Sequence, residues 1–234
     1  MNYYINGNIV KIDTSKKPYD KGSEGKLYKF GSNLYKIYFP HARNEGFGSK
    51  ERYHSYLKNI TTEQVILPSS LIYDENGEYV GYVTPEVDND RKNQNGIIKL
   101  SKQEIINNLQ ILENDFSILS QKFVLVSDVA SYNYIFGKDR KMYIIDPGRY
   151  RSFCFDDRTL YEKDNYQQLD SLIGLLIYND LVKYKVSTKR KIQVFKDTMK
   201  SIKEDTKYSD FFSRELEDDE TILDYALKKI RYIK

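Results

Sequence analysis

The chain has 234 residues, of which 40% are hydrophobic and 30% charged, so it can bury a core as one domain or two small lobes. Its 37 Lys and Arg residues against 34 Asp and Glu give a net charge of +3, which does not favour a nucleic-acid-binding protein. Two histidines and one cysteine, Cys154, leave neither an intramolecular disulfide nor a zinc site. No apolar run approaches the roughly 20 residues that span a bilayer, so we expect a cytoplasmic protein without membrane contact.

The first third of the chain predicts a small antiparallel β-sheet. Residues 1–12 predict a hairpin, because Asn6-Gly7 suits a type I′ turn and separates two short apolar runs. Residues 65–83 predict further strands around a polar turn at residues 74–78. About five strands and one helix are therefore expected in this part of the chain.

Residues 19–38 predict a strand, a glycine-bearing loop, a strand, a tight turn and a final strand. Gly22, Ser23 and Gly25 lie in the loop. A backbone without Cβ can lie close against phosphate groups and offer them its N–H groups, so the loop is a candidate phosphate site. Lys36 falls in the last strand, where it is either an exposed residue of an amphipathic strand or a phosphate ligand one hairpin after the loop.

The rest of the chain predicts mostly helices. Residues 88–95 are polar and predict a linker, and the apolar spacing of residues 103–121 predicts a helix with one buried face. A short buried strand at residues 123–126 then leads towards Asp128. Three further helices are expected at residues 168–178, 182–203 and 221–234.

Residues 126–148 are the most informative stretch. Two short apolar runs flank a turn rich in Gly, Lys and Asp, which predicts a β-hairpin. Asp128 and Asn133 lie in the loop that enters its first strand, and Asp146 follows its second strand. Three side chains with carboxylate or amide oxygens are therefore expected at one end of the hairpin, an arrangement that suits Mg²⁺ with one carboxylate left over as a base.

The order D-x-x-x-x-N, strand, turn, strand, D-x-G at Asp128, Asn133 and Asp146 resembles the catalytic loop and metal-binding motif of the protein-kinase-like superfamily. The resemblance covers roughly residues 19–180 and is at the level of motifs. It implies an α+β, bilobal protein-kinase-like fold with a β-sheet N-lobe and a reduced, mostly helical C-lobe. The implied divisions are an N-lobe at residues 1–87, a linker at 88–95 and a C-lobe at 96–234.

This resemblance implies phosphoryl transfer from ATP with Mg²⁺ as the cofactor. Asp128 would accept the proton of the acceptor hydroxyl, and Asn133 and Asp146 would hold Mg²⁺ on the phosphates. Lys36 would contact the α- and β-phosphates. Its family partner is a carboxylate on the following helix, for which this chain offers two candidates.

Those candidates are Glu51 and Glu45. Two glycines flank Glu45 and disfavour a helix by about 1 kcal/mol each. Ser49 is suited to N-cap a helix that contains Glu51, so Glu51 is the preferred partner of Lys36. Both are otherwise solvated charges.

Further nucleotide contacts are implied on both sides of the expected cleft. Gly22, Ser23 and Gly25 resemble the second half of a glycine-rich loop whose first glycine is replaced by Asp20. Residues 82–87 resemble the hinge whose backbone groups form hydrogen bonds with adenine. Within this hinge segment the implied contacts are Val83, Glu86 and Val87. Asp170 resembles the carboxylate that braces the catalytic loop, or it is only a charge favoured near a helix N-terminus.

The chain also departs from the protein-kinase pattern. Val126-Ser127 replace the usual His-Arg before the catalytic Asp, and Pro147 replaces Phe. We expect an active kinase, with Ser or Thr of a protein as its first expected acceptor and Tyr or a small-molecule hydroxyl as open alternatives. The other interpretations are a pseudokinase that binds nucleotide or partners without transfer, a kinase fold with nucleotidyl-transfer chemistry, and an α+β domain whose Asp and Asn residues only shape turns.

Overall fold

The computed structural model describes residues 1–43, 49–89, 96–154, 156–204 and 206–234. Within these residues the chain is a mixed α+β protein with a seven-stranded antiparallel sheet and six α-helices. The predicted α+β class is therefore confirmed. Glu45 and residues 90–95 of the predicted linker lie outside the described residues.

The large sheet is formed by the first part of the chain. Its strands are β1 (Asn2–Ile5), β2 (Asn8–Lys11), β3 (Asp20–Lys21), β4 (Gly25–Phe30), β5 (Asn33–Tyr38), β6 (Ser70–Tyr73) and β7 (Tyr79–Pro85). In space they run in the order β2-β1-β6-β7-β5-β4-β3. The hairpin predicted over residues 1–12 is confirmed, because Asn6 and Gly7 both have positive φ angles, as a type I′ turn requires. It extends one edge of the sheet through the pairing of Tyr4 with Tyr73.

Two glycines allow the central strands to lie close together. A Cβ atom at Gly25 in β4 would collide with the carbonyl of Ile37, and one at Gly81 in β7 would collide with the carbonyl of Lys36. Both obstacles are backbone atoms of β5 and cannot rotate away. These glycines therefore fix the position of the strand that carries Lys36.

The helices are α1 (Lys50–Leu57), α2 (Lys102–Gln121), α3 (Arg158–Lys183), α4 (Lys189–Lys203), α5 (Tyr208–Glu215) and α6 (Ile222–Ile230). The predicted helix at residues 168–178 is only part of α3. The one expected from residue 182 begins at Lys189, because the chain turns at Lys185 with a φ of 52°. Among the described residues, no helix combines the length and the apolar composition needed to cross a membrane.

In the described part of the chain, four short strands lie outside the large sheet. They are β8 (Val124–Leu125), β9 (Tyr134–Phe136), β10 (Met142–Ile144) and β11 (Arg151–Ser152). β9 and β10 form the hairpin predicted between Asn133 and Asp146. Its Met142 and Ile144 are buried in the same apolar cluster as Leu112 of α2. The hairpin is therefore packed against the helices, which fixes the loops at its ends.

Buried polar groups on α2 complete this attachment. Asn108 accepts a hydrogen bond from the Met142 N–H at 2.8 Å and donates to the Arg140 carbonyl at 3.2 Å. The carboxylate of Asp115 accepts the backbone N–H groups of residues 63–65 at 2.6–3.1 Å. Each buried N–H would cost about 1–3 kcal/mol if it were left without a partner. The hairpin and the segment beside it are thus held on one helix.

Candidate functional site

A cavity of about 370 Å³ lies between the large sheet and the β9–β10 hairpin. Its volume falls within the range of about 300–1,000 Å³ typical of small-molecule sites. Apolar side chains line one part of the cavity: Leu27, Leu34, Ile66, Ile135 and Ile145. Charged and polar groups line another, so the cavity can take up a ligand with a flat apolar part and a charged part.

The glycine loop covers the cavity as a tight β-turn between β3 and β4. The Gly22 N–H donates to the Gly25 carbonyl at 3.0 Å, with Ser23 and Glu24 at the tip. Gly22, Ser23 and Gly25 all line the cavity. A Cβ atom at Gly22 would meet no atom within 4 Å, whereas Gly25 is required by its contact with β5. Gly25 therefore lets β4 lie close to β5 and also lines the cavity.

Lys36 and Asp146 form an ion pair at the centre of the polar part. The Lys36 ammonium donates to Asp146 Oδ1, and the Tyr82 hydroxyl donates to the same oxygen at 2.8 Å. Burial raises the pKa of Asp146, but the charge of Lys36 and these hydrogen bonds outweigh burial and hold the pKa below its ordinary value. Asp146 is therefore a carboxylate at neutral pH. Its side chain is 39% exposed, so part of it remains available to a ligand in the cavity.

The predicted pairing of Lys36 with Glu51 is wrong. Glu51 lies on α1, but its carboxylate accepts the Tyr73 hydroxyl at 3.0 Å. The second carboxylate near Lys36 is Glu24 of the glycine loop, with Oε2 3.8 Å from the ammonium. Glu24 is held at this position because α1 also buries Lys50 here, and this buried cation requires an anion close to it, which Glu24 provides.

Glu24 holds three cations together. Its Oε1 lies 3.3 Å from the Lys50 ammonium and 3.2 Å from Arg149 Nε. Lys50 is only 2% exposed and also lies over the Tyr38 ring. Glu24 thus ties the tip of the glycine loop to β5, to α1 and to the segment after Asp146. The sequence signal for this role was an acidic residue between two loop glycines.

Asp128 and Asn133 are joined within one loop. Asn133 donates from Nδ2 to the Asp128 carbonyl at 2.8 Å and lies 3.4 Å from its Oδ2. Because the amide nitrogen is used in this way, Asn133 Oδ1 remains an acceptor, and Asn133 is one of the residues that line the cavity. The Ile145 N–H donates to the Asn133 carbonyl at 2.8 Å, which holds this loop beside Asp146. The three predicted oxygen-bearing side chains therefore line the same cavity.

The backbone at both aspartates is left-handed. Asp128 and Asp146 each have a φ of 60°, a conformation that is uncommon for residues other than glycine. Such conformations persist where the surrounding structure holds them, and they cluster at functional sites. A Cβ atom at Gly148 would lie 3.0 Å from Asp146 Oδ1 and 3.2 Å from Glu24 Oε2. Glycine at this position thus lets the backbone pass close to both carboxylates.

The residue that braces the Asp128 loop is Asn165 on α3. Its Oδ1 accepts the Val126 N–H at 2.7 Å, and its Nδ2 donates to the Val124 carbonyl at 2.8 Å. Asp170, which the sequence suggested for this role, instead pairs with Lys203 at 2.5 Å. Asp170 lies more than three turns into α3, whereas Asn165 lies in its second turn.

Two of the three residues predicted as hinge contacts lie on the cavity. Glu86 and Val87 line the cavity, but Val83 does not. Side chains alternate across a strand, so Val83 packs into the apolar cluster on the other face and Thr84 lines the cavity instead. The Val83 carbonyl accepts the Ser69 N–H at 2.8 Å. Val83 is therefore a structural residue of the sheet.

A buried aromatic cluster lies beside the ion pair. His54 of α1 is fully buried, and its Nδ1 lies 2.6 Å from the Tyr79 hydroxyl. Its ring packs near those of Tyr38 and Tyr82. Burial, together with the charges of Lys36 and Lys50, lowers the pKa of His54 to about 3. His54 is therefore neutral at physiological pH and adds no further charge to the site.

This shift predicts a loss of stability in mild acid. An unfolded histidine has a pKa of about 6.5, so between pH 6.5 and 3 the unfolded chain binds a proton that the folded chain does not. The free energy of unfolding should fall with decreasing pH in this window, by up to about 1.4 kcal/mol per pH unit from His54. Urea unfolding of the His54→Phe variant should show a shallower pH dependence. Replacement of the exposed His41 is the control and should leave the pH dependence unchanged. An equal slope of unfolding free energy against pH in wild type and His54→Phe would contradict the lowered pKa of His54.

The donor set fits Mg²⁺ in the way the motif implies. Among the described residues, no group of three or more His, Cys, Asp or Glu side chains is placed to hold a metal ion. Mg²⁺, however, commonly uses one or two protein carboxylates, with water and substrate phosphates as its other ligands. Asp146 and Asn133 supply one carboxylate and one amide oxygen at the cavity wall. They suit a metal that arrives with a phosphate ligand.

No known family model matches the chain, and no curated protein is similar enough to be counted as a relative. The geometry and chemistry of the cavity are therefore the basis for a functional assignment.

Proposed function

We propose that the chain is an ATP-dependent phosphotransferase of the protein-kinase-like type, which transfers the γ-phosphate to a hydroxyl group. The observation that carries this proposal is the convergence of Lys36, Asp128, Asn133 and Asp146 on one cavity beneath a glycine-bearing turn. In this proposal the sheet of residues 1–87 is an N-lobe, residues 88–95 are the linker and residues 96–234 are a helical C-lobe.

Each polar residue has a distinct role in this proposal. Lys36, held by Asp146 and Glu24, would orient the phosphates of ATP. Asp146 and Asn133 would hold Mg²⁺, which when bound neutralises phosphate charge. Asp128 would take the proton from the incoming hydroxyl, because it is the carboxylate that is not bonded to Lys36. Phosphoryl transfer depends mainly on such positioning and charge neutralisation.

The apolar part of the cavity would hold the adenine ring. Leu27 and Leu34 on the sheet and Ile135 and Ile145 around the hairpin provide apolar surface for a flat heterocycle. Thr84, rather than Val83, would then be the β7 side chain that meets the base. We propose Ser or Thr of a protein as the acceptor, with Tyr or a small-molecule hydroxyl as the other outcomes of the test.

A pseudokinase is the second candidate, and one contact favours it. Arg149 Nε lies 3.7 Å from Asp128 Oδ2 and 3.2 Å from Glu24 Oε1, so the carboxylate proposed as the base is already near a cation. If Arg149 kept this position with nucleotide bound, ATP would enter the cavity, but the cation beside Asp128 would weaken this carboxylate as a proton acceptor and no transfer would follow. Both a kinase and a pseudokinase would bind ATP, but only the kinase would transfer phosphate and release ADP.

The assay that separates them uses purified protein, γ-labelled ATP and either Mg²⁺ or EDTA. Mixed protein acceptors and simple sugars are added in separate reactions, and both ADP and the labelled product are measured. Mg²⁺-dependent ADP formation with label on an acceptor is the result expected for a kinase. ATP binding, seen as a rise in melting temperature, without ADP would support the pseudokinase. If the protein neither bound ATP nor formed ADP, both the kinase and the pseudokinase would be contradicted.

The corrected partner of Lys36 gives a quantitative prediction. Glu24→Gln removes a carboxylate that faces Lys36, Lys50 and Arg149, and we expect kcat/KM for ATP to fall about tenfold, equivalent to about 1.4 kcal/mol. Glu51→Gln is the matched control, because Glu51 bonds Tyr73 instead, and it should change kcat/KM less than about twofold. Steady-state kinetics at a temperature where circular dichroism shows both variants folded would test this. A larger loss in Glu51→Gln would restore the helix carboxylate as the partner.

A further inference from the structure

The side chain nearest to the proposed base is a tyrosine of the same loop. Tyr132 lies in a short 3₁₀ turn, Ser131–Asn133, between Asp128 and Asn133. Its hydroxyl donates to Asp128 Oδ1 at 3.1 Å. Its side chain lines the cavity and is 71% exposed.

This contact matches what the proposed mechanism requires of an acceptor. An acceptor hydroxyl must lie within about 2.6–3.2 Å of the base that removes its proton. The Tyr132 hydroxyl meets that requirement without any second molecule, because Tyr132 lies four positions after Asp128 in the same chain. A tyrosine phenol ordinarily has a pKa of about 10, so it keeps its proton at neutral pH and needs a base to lose it.

We propose that Tyr132 is a site of intramolecular phosphorylation. This inference rests on the proposed phosphotransferase function. Tyr132 Oη forms a bond to the γ-phosphorus of ATP, and the bond from that phosphorus to the oxygen bridging the β-phosphate breaks. The bridging oxygen leaves with ADP, and Asp128 takes the phenol proton. The phosphate donor is ATP itself, and no further reactant is needed.

Three other tyrosines lack exposure to solvent or a hydrogen bond to a carboxylate of the cavity. The Tyr82 hydroxyl donates to Asp146, but its side chain is only 2% exposed. Tyr134, two residues after Tyr132, has a hydroxyl that is shielded from solvent. Tyr232 is 86% exposed, but the structure gives it no bond to a cavity carboxylate. Tyr132 combines exposure at the cavity with a bond to the proposed base.

The modified loop would contain a charge that the cavity can accommodate. A phosphorylated tyrosine carries about −1.5 to −2 charges at pH 7. Arg149 is the nearby cation that would pair with this phosphate. Its Nε lies 3.7 Å from Asp128 Oδ2, and its side chain is 56% exposed. The phosphate would then occupy the acceptor position beside Asp128, so we expect transfer to added acceptors to slow as Tyr132 is modified.

The test is incubation of the full chain with ATP and Mg²⁺ in the absence of an added acceptor, followed by intact mass and peptide mapping. We expect one phosphate, located on Tyr132, and none in Tyr132→Phe. Tyr232→Phe is the control for exposure alone and should be labelled like wild type. The rate constant should stay the same over a tenfold dilution. Asp146→Asn protein mixed with wild type should remain unlabelled, because the transfer is intramolecular.

The result can overturn this inference without overturning the proposed function. Label on Ser23 or another residue, a rate proportional to protein concentration, or ADP and labelled acceptor with Tyr132 unmodified would each contradict intramolecular phosphorylation of Tyr132. The phosphotransferase assignment would survive all three. If no ADP formed and no acceptor was labelled, both the modification of Tyr132 and the phosphotransferase function would be contradicted.

Discussion

Asp146→Asn is expected to lower the rate of γ-phosphate transfer by about 10³-fold, because the variant loses the carboxylate that pairs with Lys36 and that would hold Mg²⁺. Lys36 is 7% exposed, so among the described residues the loss leaves this buried cation with the more distant Glu24 carboxylate at 3.8 Å. Single-turnover assays with labelled ATP and excess protein measure this effect directly.

Asp139→Asn is the matched control for that variant. Asp139 lies in the turn of the same hairpin, where its carboxylate accepts the Tyr143 hydroxyl at 2.7 Å, and it does not line the cavity. Its replacement should change the transfer rate less than about twofold. An Asp146→Asn variant that kept more than a tenth of the wild-type rate would contradict the role assigned to Asp146.

Asp128→Asn is expected to lower kcat by about 10²–10⁴-fold while leaving KM for ATP nearly unchanged, because the variant loses the proton acceptor and keeps the groups that bind phosphate. Asparagine is the suitable replacement, since it tolerates the left-handed backbone at this position better than alanine does. Steady-state kinetics with saturating acceptor measure both constants. A rise in KM for ATP without a fall in kcat would assign Asp128 to nucleotide binding instead.

The charges around the cavity explain why these substitutions should have large effects. Three cations, Lys36, Lys50 and Arg149, converge on Glu24, and the neighbouring anions are Asp128 and Asp146. Buried ions are stable only when oppositely charged groups lie close to them, so removing one member leaves another uncompensated. An incoming triphosphate would bring new negative charge to the same cations, as the proposed binding of ATP requires.

The features that the sequence predicted correctly depend on local patterns. The hairpin between Asn133 and Asp146 follows from two apolar runs around a turn, and this spacing alone brings both residues to one cavity. The strand position of Lys36 follows in the same way from the turn before β5. In each case the deciding residues lie within about a dozen positions of one another.

The features that the sequence missed depend on contacts between distant residues. Asn165 braces a loop 39 positions earlier, and Glu24 pairs with Arg149 across 125 positions. No periodicity or spacing within one segment contains that information. Val83 was predicted as a backbone contact of the base, but its carbonyl accepts the Ser69 N–H and its side chain packs into the cluster on the other face of the sheet. Both facts depend on how β7 pairs with distant strands. The prediction for Glu51 is wrong because the second carboxylate near Lys36 is Glu24 of the glycine loop instead of a carboxylate on α1.

The most direct test of the cavity as a site for ATP with Mg²⁺ is calorimetric titration of the wild-type chain with ATP, once with Mg²⁺ and once with EDTA, and with Asp146→Asn in parallel. We expect one ATP per wild-type chain, with a Kd at least about tenfold lower in the presence of Mg²⁺, equivalent to about 1.4 kcal/mol. Asp146→Asn should lose this dependence on Mg²⁺. No binding at millimolar ATP, or the same dependence on Mg²⁺ in both proteins, would contradict the account.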